Sequence, residues 1–331
     1  DEIIGDLSDV ELNNLTFDAV DFTKVNFSDC TLNNVVFLDC NFSGVDLTQV
    51  QGSMTLKNCR ASSCKFSNAS ISSLNSIQTD FTSSSFESCL ITDCNFFGCD
   101  FTSANFNFSM VTMSRFSDCI FDDVTFKDIV WESFAMCEVS LISSSWLPRK
   151  IRKGVMVKCD FSEQNLNGTE LTESSFTESK FHGVDFSKAR ISNCHFTGSS
   201  FERVDFFGSH LETCFFPESS FNDCRMRSVS APCNNFDRAL MNNIDFAQAN
   251  LYRARFTGAS LLEVSFIDSE LEQSNFSNTF MEAVNFNGAS IPFANFHAAA
   301  GAYELSKMQE KMILGTDEKQ LEAESSSIPT T

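Results

Sequence analysis

The sequence contains few residues that interrupt regular structure, with only 5 Pro and 13 Gly among 331 residues. Flexible linkers are rich in Gly, Ser and Pro, so this composition gives no sign of a hinge between globular domains. No run of 18 apolar residues occurs, which excludes a membrane-spanning helix. The first residue is Asp1 instead of Met, so we expect a trimmed N-terminus from which any targeting segment is lost.

The common signatures of catalysis are also missing. There is no glycine-rich phosphate loop, no nucleophile elbow and no helix with paired zinc-binding histidines. The four histidines fall at positions that the repeat described below directs outward, without partners at metal-ligand spacing; they are His182, His195, His210 and His297. The sequence therefore predicts a protein that is not an enzyme and uses no cofactor or metal.

What the sequence has in abundance is Phe, 37 residues in all, at a spacing of five. From Leu56 to Phe296 every fifth residue is apolar except Ser76, and a second series from Leu7 to Leu47 is entirely Leu or Phe. A helix repeats every 3.6 residues and a flat strand every two, so a period of five requires the chain to turn a corner in each repeat. The pattern predicts a solenoid with one large inward residue per repeat.

The residue two places before each inward Phe is small, and the residue between them is frequently Asp or Asn. Residues 99–103 read Cys-Asp-Phe-Thr-Ser, and residues 184–188 read Val-Asp-Phe-Ser-Lys. In this pattern the chain resembles the pentapeptide-repeat family over most of its length. The resemblance implies an all-β fold, a right-handed quadrilateral parallel β-helix.

A 20-residue super-period supports four repeats per coil independently of the family. Every twentieth position from Ile71 to Ile291 lacks Phe, whereas the face before it, from Phe86 to Phe286, is mostly Phe. The aliphatic face continues back to Leu32 and Leu12 only if one residue is missing near residues 48–55. We therefore expect a single β-helix domain of about fourteen coils over residues 1–301.

Most of the 14 cysteines occupy the small inward position. Parallel side chains about 4.8 Å apart suit a disulfide poorly, so we expect buried, reduced thiols and a reducing compartment. Only Cys137 and Cys233 lie off the pattern. The inward cysteines are Cys30, Cys40, Cys59, Cys64, Cys89, Cys94, Cys99, Cys119, Cys159, Cys194, Cys214 and Cys224.

The net charge of −21 has one local exception, because residues 149–158 contain five basic residues and no acid. Arg149 and Gly154 fall at inward positions, and a buried unpaired guanidinium is costly, so the sequence predicts an irregular, outward basic loop over residues 147–158. A solvated corner and a partner-binding protrusion are both compatible with this loop. If it binds a partner, the contacts are Arg149, Lys150, Arg152 and Lys153.

Two further surface features follow from the 20-residue spacing. Leu90, Met110 and Val130 are predicted to stack as an outward apolar strip, which indicates contact with another surface. Acidic residues form broken outward columns, and their candidate members are Asp118, Asp122, Asp123, Glu138, Glu178 and Glu218.

The repeat ends after Phe296. Leu305, Met308 and Met312 share one helical face and Gly315 is a stop signal, so we predict a helix over residues 302–315 that caps the open end of the solenoid. The acidic, Ser-rich residues 316–331 are predicted to be a disordered tail.

Two functions remain open. The first is a non-catalytic protein-interaction scaffold, and the resemblance implies a bacterial secreted effector or effector domain, located in the cytoplasm or in a reducing host cytosol. The second, also implied by the resemblance, is an acidic DNA mimic that binds a type II topoisomerase such as DNA gyrase, as quinolone-resistance members of the family do. Five cations on a strongly acidic chain give phosphates little attraction, so no direct nucleic-acid binding is expected. The partner, a topoisomerase or a host protein, and the oligomeric state are left open, and the sequence favours the scaffold.

Overall fold

The five-residue repeat forms a parallel β-solenoid in the computed structural model, which describes residues 2–145 and 150–326. The fold is all-β, with about 15 turns and one short C-terminal helix, so the predicted fold class is confirmed. The additional turn arises because residues 300–314 continue the pairing as a final coil. Two compact units make up the chain: Asp1–Leu166 with Thr172–Ser175, and Asn167–Leu171 with Phe176–Thr331.

Most repeats turn a corner at the second residue after the inward residue, where the backbone is left-handed. The φ angle is 52° at Asp118 and 57° at Lys188, for example. The Asp or Asn that precedes the inward residue closes the same turn with its side chain. The N–H of Thr102 donates to Asp100 Oδ1 over 2.9 Å, which is the Asx turn that short polar side chains favour. This geometry explains the Asp or Asn of the repeat.

The core of each unit is a set of side-chain columns in which like residues stack on like. In the first unit the rings of Phe86 and Phe106 lie 4.7 Å apart and nearly parallel. In the second unit Phe186 and Phe206 stack at 5.1 Å. These rings are fully buried. The stacked columns are therefore the hydrophobic core of each unit.

The strands of the first unit are short and pair only in parallel. Their neighbours lie 20 residues away, as in the pairs of Met110 with Leu90 and with Val130. The strands are β1 (Glu2–Asp6), β2 (Glu11–Asn13), β3 (Thr16–Asp18), β4 (Asp21–Asn26), β5 (Thr31–Leu38), β6 (Gln51–Lys57), β7 (Ser70–Ser72), β8 (Asn75–Ile77), β9 (Leu90–Thr92), β10 (Asn95–Phe97), β11 (Met110–Thr112), β12 (Arg115–Ser117), β13 (Val130–Glu132), β14 (Ala135–Cys137), β15 (Lys150–Arg152) and β16 (Val155–Val157).

The second unit has the same parallel pairing, with longer strands toward its C-terminal end. Two strands, β17 (Glu170–Thr172) and β18 (Ser175–Thr177), contain residues of both units. The remaining strands are β19 (Lys180–His182), β20 (Arg190–Ser192), β21 (Ser200–Glu202), β22 (His210–Glu212), β23 (Ser220–Asn222), β24 (Leu240–Asp245), β25 (Ser260–Ser265), β26 (Phe280–Asn285) and β27 (Ala300–Glu304).

One coil of the first unit is a residue short. Asn33 pairs with Ser53, but Val35 pairs with Met54, so the spacing between neighbours falls from 20 to 19. Gly52, at the start of this stretch, has a φ of +108°, and a Cβ there would overlap the Leu32 carbonyl oxygen. Only glycine suits both the dihedral angle and the close approach.

The predicted irregular loop over residues 147–158 is wrong for the part of it that the structure describes. Lys150–Arg152 pairs in register with β13, and Val155–Val157 pairs with β14. Gly154 occupies an inward position beneath the ring of Phe134, so it makes room for a large neighbour and does not break the coil. Trp146, Leu147, Pro148 and Arg149 lie outside the described residues.

The C-terminal helix is also displaced from its predicted place. Residues 302–315 do not form it: the chain there leaves β27, passes a 3-10 turn at Gln309–Lys311 and pairs again at Leu314. Gln309 Nε2 donates to the carbonyls of Phe286 and Ala289, which fixes this last coil on the coil before it. The helix, α1 (Glu318–Ser326), begins after the N-cap Asp317, within the segment predicted to be disordered.

Candidate functional site

An exposed apolar surface lies on one face of the first unit. Strands β9, β11 and β13 place Leu90, Met110 and Val130 side by side on the outward face, as the 20-residue spacing predicts. The two corners that flank β11 add Phe108 and Met113, and these five residues are called the β11 patch. Between 36% and 61% of each residue is exposed.

The corner residues of the patch are unusual for their backbone conformation. Phe108 has a φ of 61° and Met113 a φ of 50°. Most left-handed corners in this chain carry Asp, Ser, Asn, Glu or Gly, which tolerate that region better than a large apolar side chain does. Lys127 Nζ lies over the ring of Phe108, 5.7 Å from its centre. Strained positions with bulky side chains are concentrated at functional surfaces, so the corners strengthen the case for the patch.

The basic residues predicted as contacts are largely neutralised by carboxylates. Arg152 lies 3.7 Å from Glu132 and 3.8 Å from Glu173, and Lys153 lies 3.9 Å from Glu173. Lys150 opens β15 next to Val130, so it borders the β11 patch. Arg149 lies outside the described residues. These cations therefore form a mixed-charge border and not a protruding basic loop.

The six candidate acids are exposed, but they do not form one continuous stripe. In the first unit Asp118 and Glu138 follow each other at corners of neighbouring coils, and the next residue of that column is Lys158. Asp122 Oδ1 accepts a hydrogen bond from Ser143 at 3.0 Å and its neighbour Asp123 lies at the same corner. In the second unit Gly198 separates Glu178 from Glu218, and Arg238 lies 3.4 Å from Glu218. The charge is therefore interrupted in each unit.

The cysteines are placed as predicted. All twelve of the inward cysteines are buried, Cys137 is half-buried and Cys233 is exposed. Burial raises the pKa of the Cys64, Cys89 and Cys159 thiols to about 12, because the thiolate loses its hydration. Such thiols are poor nucleophiles and poor metal ligands at neutral pH. Among the residues that the structure describes, no group of three potential metal-ligating side chains converges.

One histidine departs from the prediction. His297 was predicted to point outward, but it is buried, because the segment that leads into α1 folds over it. Its Nδ1 accepts a hydrogen bond from the Asp317 N–H at 3.1 Å. His297 therefore anchors the start of the C-terminal helix.

Sequence reasoning missed several surface residues. The five-residue pattern assigns Phe108 and Met113 to free positions, and the signal that could have found them is a large apolar residue where a left-handed corner is expected. A second exposed apolar group was missed in the other unit, where Leu240, Leu262 and Phe280 lie outward on β24, β25 and β26. It has three residues instead of five, and the described left-handed corners of these strands, at Asn243, Glu263 and Ala283, carry no large apolar side chain.

The repeat, the parallel register and the buried columns define a four-sided parallel β-solenoid. The model named Pentapeptide repeat region matches residues 156–226, and the model named Pentapeptide repeats (8 copies) matches residues 11–49, 235–266 and 265–299. These matches cover more than half of the sequence, and the chain belongs to the pentapeptide-repeat family.

Several solved structures are similar. QnrB1, a plasmid-mediated fluoroquinolone resistance protein, is 20% identical, with 56% of this chain and 90% of that chain covered and a TM-score of 0.35. HetL of the cyanobacterium Nostoc, involved in regulation of heterocyst differentiation, is 16% identical, with 64% and 89% covered and a TM-score of 0.28. No curated protein matches the sequence. Within the described residues, no helix has the length and apolar character needed to cross a bilayer.

Proposed function

We propose that the protein is a non-catalytic scaffold for protein interaction, and that the β11 patch is its contact surface. The observation that carries the proposal is that Leu90, Met110 and Val130 are exposed side by side on one sheet face, with the exposed Phe108 and Met113 at the two flanking corners. Contiguous apolar patches on soluble proteins are commonly sites of protein interaction. Strands β9, β11 and β13 under the patch pair in register with their neighbours, so binding needs little ordering of the scaffold.

The test is a pull-down with a patch variant, Leu90→Ser together with Met110→Ser and Val130→Ser, from bacterial and from eukaryotic lysate. A matched control carries Leu240→Ser, Leu262→Ser and Phe280→Ser in the second unit. Proteins captured by the wild type and by the control but lost with the patch variant support the proposal. Equal capture by all three proteins contradicts it.

The basic residues are a second part of the same test, because their ion pairs reduce the contribution to partner binding that we expect from them. Arg152 already pairs with Glu132 and Glu173, and Lys153 pairs with Glu173. We expect that Lys150→Ser, Arg152→Ser and Lys153→Ser, with Arg149→Ser added, weaken capture less than the patch variant does. A larger loss of capture than with the patch variant would indicate that the basic border is the contact surface.

We propose a bacterial effector role as the setting of this scaffold, in a reducing cytosol. Its support is the number of buried thiols, since small buried cysteines in place of Ala or Ser suit a compartment that keeps them reduced. The location is tested by fusing a reporter to the chain and measuring whether the reporter signal is found in host cells or stays in the bacterium. Retention in the bacterium under all secretion conditions rejects the effector role without affecting the scaffold.

The second candidate is an acidic DNA mimic that binds a type II topoisomerase, which the net charge of −21 favours. The interrupted acid columns weigh against it. The test neutralises Asp118, Asp122 and Asp123 to Asn and Glu138 to Gln and measures inhibition of DNA gyrase supercoiling. If the protein is a mimic, the wild type inhibits, the variant does not, and raised salt weakens inhibition. No inhibition by the wild type rejects this candidate.

A further inference from the structure

A notch adjoins the β11 patch around the corner made by Met113. Ser133 and Ala135 lie at its floor, where two small side chains leave a depression in the outward surface, whereas the ring of Phe134 between them is turned into the core. On one side the floor is bordered by Met113 and Arg115, and on the other by Lys153 and Val155. Because neighbouring coils are about 4.8 Å apart, the two borders are about 10 Å apart, which is wide enough for a side chain of an extended segment.

The borders of the notch combine apolar contact with positive charge. Met113 is 61% exposed and Val155 is 48% exposed. Arg115 is the outward residue at the start of β12, between Asn95 and Ala135 in the register. Lys153 closes the opposite border, where Glu173 lies 3.9 Å from its Nζ.

Arg115 is the charged group of the notch that its own chain leaves open. Arg152, Arg225 and Arg238 each lie within 4.0 Å of a carboxylate. Arg115 has no such salt bridge within residues 2–145 and 150–326. Its guanidinium presents several donors in a planar fork that matches a carboxylate. Asp93 is the acid among the residues that line the notch, and it accepts a hydrogen bond from Ser73 at 3.2 Å.

We infer that the notch binds a carboxylate-bearing, otherwise apolar segment of a partner protein, with its Asp or Glu on Arg115 and its apolar side chains on Met113 and the other residues of the β11 patch. The inference rests on the proposed scaffold function and names the chemistry of its partner. A polyanion is disfavoured, because the net charge of −21 repels it at distances beyond the notch. A segment with a single carboxylate is repelled much less by the net charge, so the attraction of the nearby Arg115 guanidinium dominates its binding.

The test uses the full chain as bait for a phage library of random dodecapeptides, with selected peptides resynthesised and their Kd measured. We expect enriched peptides to contain two or more large apolar residues and at least one Asp or Glu. Arg115→Glu should weaken their binding about tenfold or more, as expected for loss of a charge-assisted pair and its replacement by repulsion. The matched control is Arg190→Glu, which changes the equivalent first residue of β20 and should leave the Kd unchanged.

A double-mutant cycle identifies the carboxylate contact. Peptides with the acid changed to the amide should bind the wild type more weakly, and Arg115→Glu should then cost them little further. Enriched peptides without an acid, or equal binding to the wild type and Arg115→Glu, overturn the inference. If those peptides nevertheless lose binding with Leu90→Ser and Met110→Ser, the scaffold proposal stands alone. If no peptide is enriched on the wild type, the inference is rejected, and so is the proposal that the scaffold binds its partner through a peptide segment.

Discussion

The ring of Phe134 lies above Gly154, at the place where a side chain on residue 154 would be. A Cβ at residue 154 would lie 2.7 Å from Phe134 Cε1, closer than packed carbon atoms allow. Phe134 itself occupies a position that is usually small, and its ring packs 4.8 Å from the centre of Trp131. A large and a small residue in neighbouring coils thus fill the volume that two small residues fill elsewhere.

This pairing predicts that Gly154→Ala destabilises the first unit by about 1–3 kcal/mol through overpacking. In a Phe134→Ser background the same change should cost much less, because the ring is gone. Urea unfolding of the four proteins in the cycle measures the coupling. Equal costs of Gly154→Ala in both backgrounds would show that the contact does not govern residue 154.

Phe186 provides a test of the core columns. It is fully buried and stacks on Phe206 at 5.1 Å, so Phe186→Asp places a carboxylate in an apolar column and should cost several kcal/mol, on the order of 3–5. Thermal unfolding followed by circular dichroism measures the loss. Lys188→Asn, at the corner of the same repeat, is the control and should leave the midpoint within about 2 °C. A variant Phe186→Asp that unfolds like the wild type would contradict the inward assignment.

The thiols differ in accessibility, and labelling of the folded protein should show it. Cys233 is exposed and should react first with a bulky maleimide, Cys137 more slowly, and the twelve buried cysteines only on unfolding. Mass spectrometry of the labelled native protein gives the number of sites. Cys233→Ser should remove the fast site, and rapid modification of most cysteines would refute the buried placement.

Asp21 is predicted to titrate below its usual range. The Thr23 N–H donates to Asp21 Oδ1 at 2.9 Å and the Thr23 hydroxyl donates at 2.7 Å, and these bonds lower the pKa of Asp21. A carboxyl with a lower pKa in the folded state stabilises the fold above its unfolded pKa of about 3.9, and this contribution is lost as the pH falls through the folded value. NMR titration should show a rise in the pKa of Asp21 in Thr23→Val and no change in the distant Thr112→Val. An unchanged pKa in Thr23→Val would exclude the hydroxyl contribution.

The columns of the core were predictable from the sequence because spacing alone determines which residues stack. Phe86 over Phe106 follows from a period of 20, and so do the neighbours of Met110. The role of Gly154 was not predictable, since a small residue that compensates for a large one 20 residues away looks like a defect in a repeat of five. Residues 302–315 have helical periodicity, but pairing of β27 with β26 and the bonds of Gln309 outweigh that local preference. The signal for α1 was present in Asp317, whose side chain accepts from the N–H groups of Lys319 and Gln320.

The candidate site was predictable in part for a similar reason. Leu90, Met110 and Val130 are found by counting, because outward residues of neighbouring coils share a face. Phe108 and Met113 were not found, since corner positions accept many residue types and their exposure depends on the backbone conformation. The ion pairs of Arg152 were likewise beyond the pattern, because they join outward side chains whose rotamers the spacing does not fix.

The 19-residue step at Gly52 has a consequence for how such a chain changes in length during evolution. Insertion or loss of a whole coil adds or removes one row in every column and leaves each surviving residue in its own column, with inward positions still facing inward. Loss of a single residue shifts all later columns unless one corner absorbs it, and here the corner needed a glycine with a φ of +108°. Duplication and deletion in multiples of 20 are therefore the low-energy routes, and a single-residue gap between relatives should be accompanied by a glycine at the tightened corner.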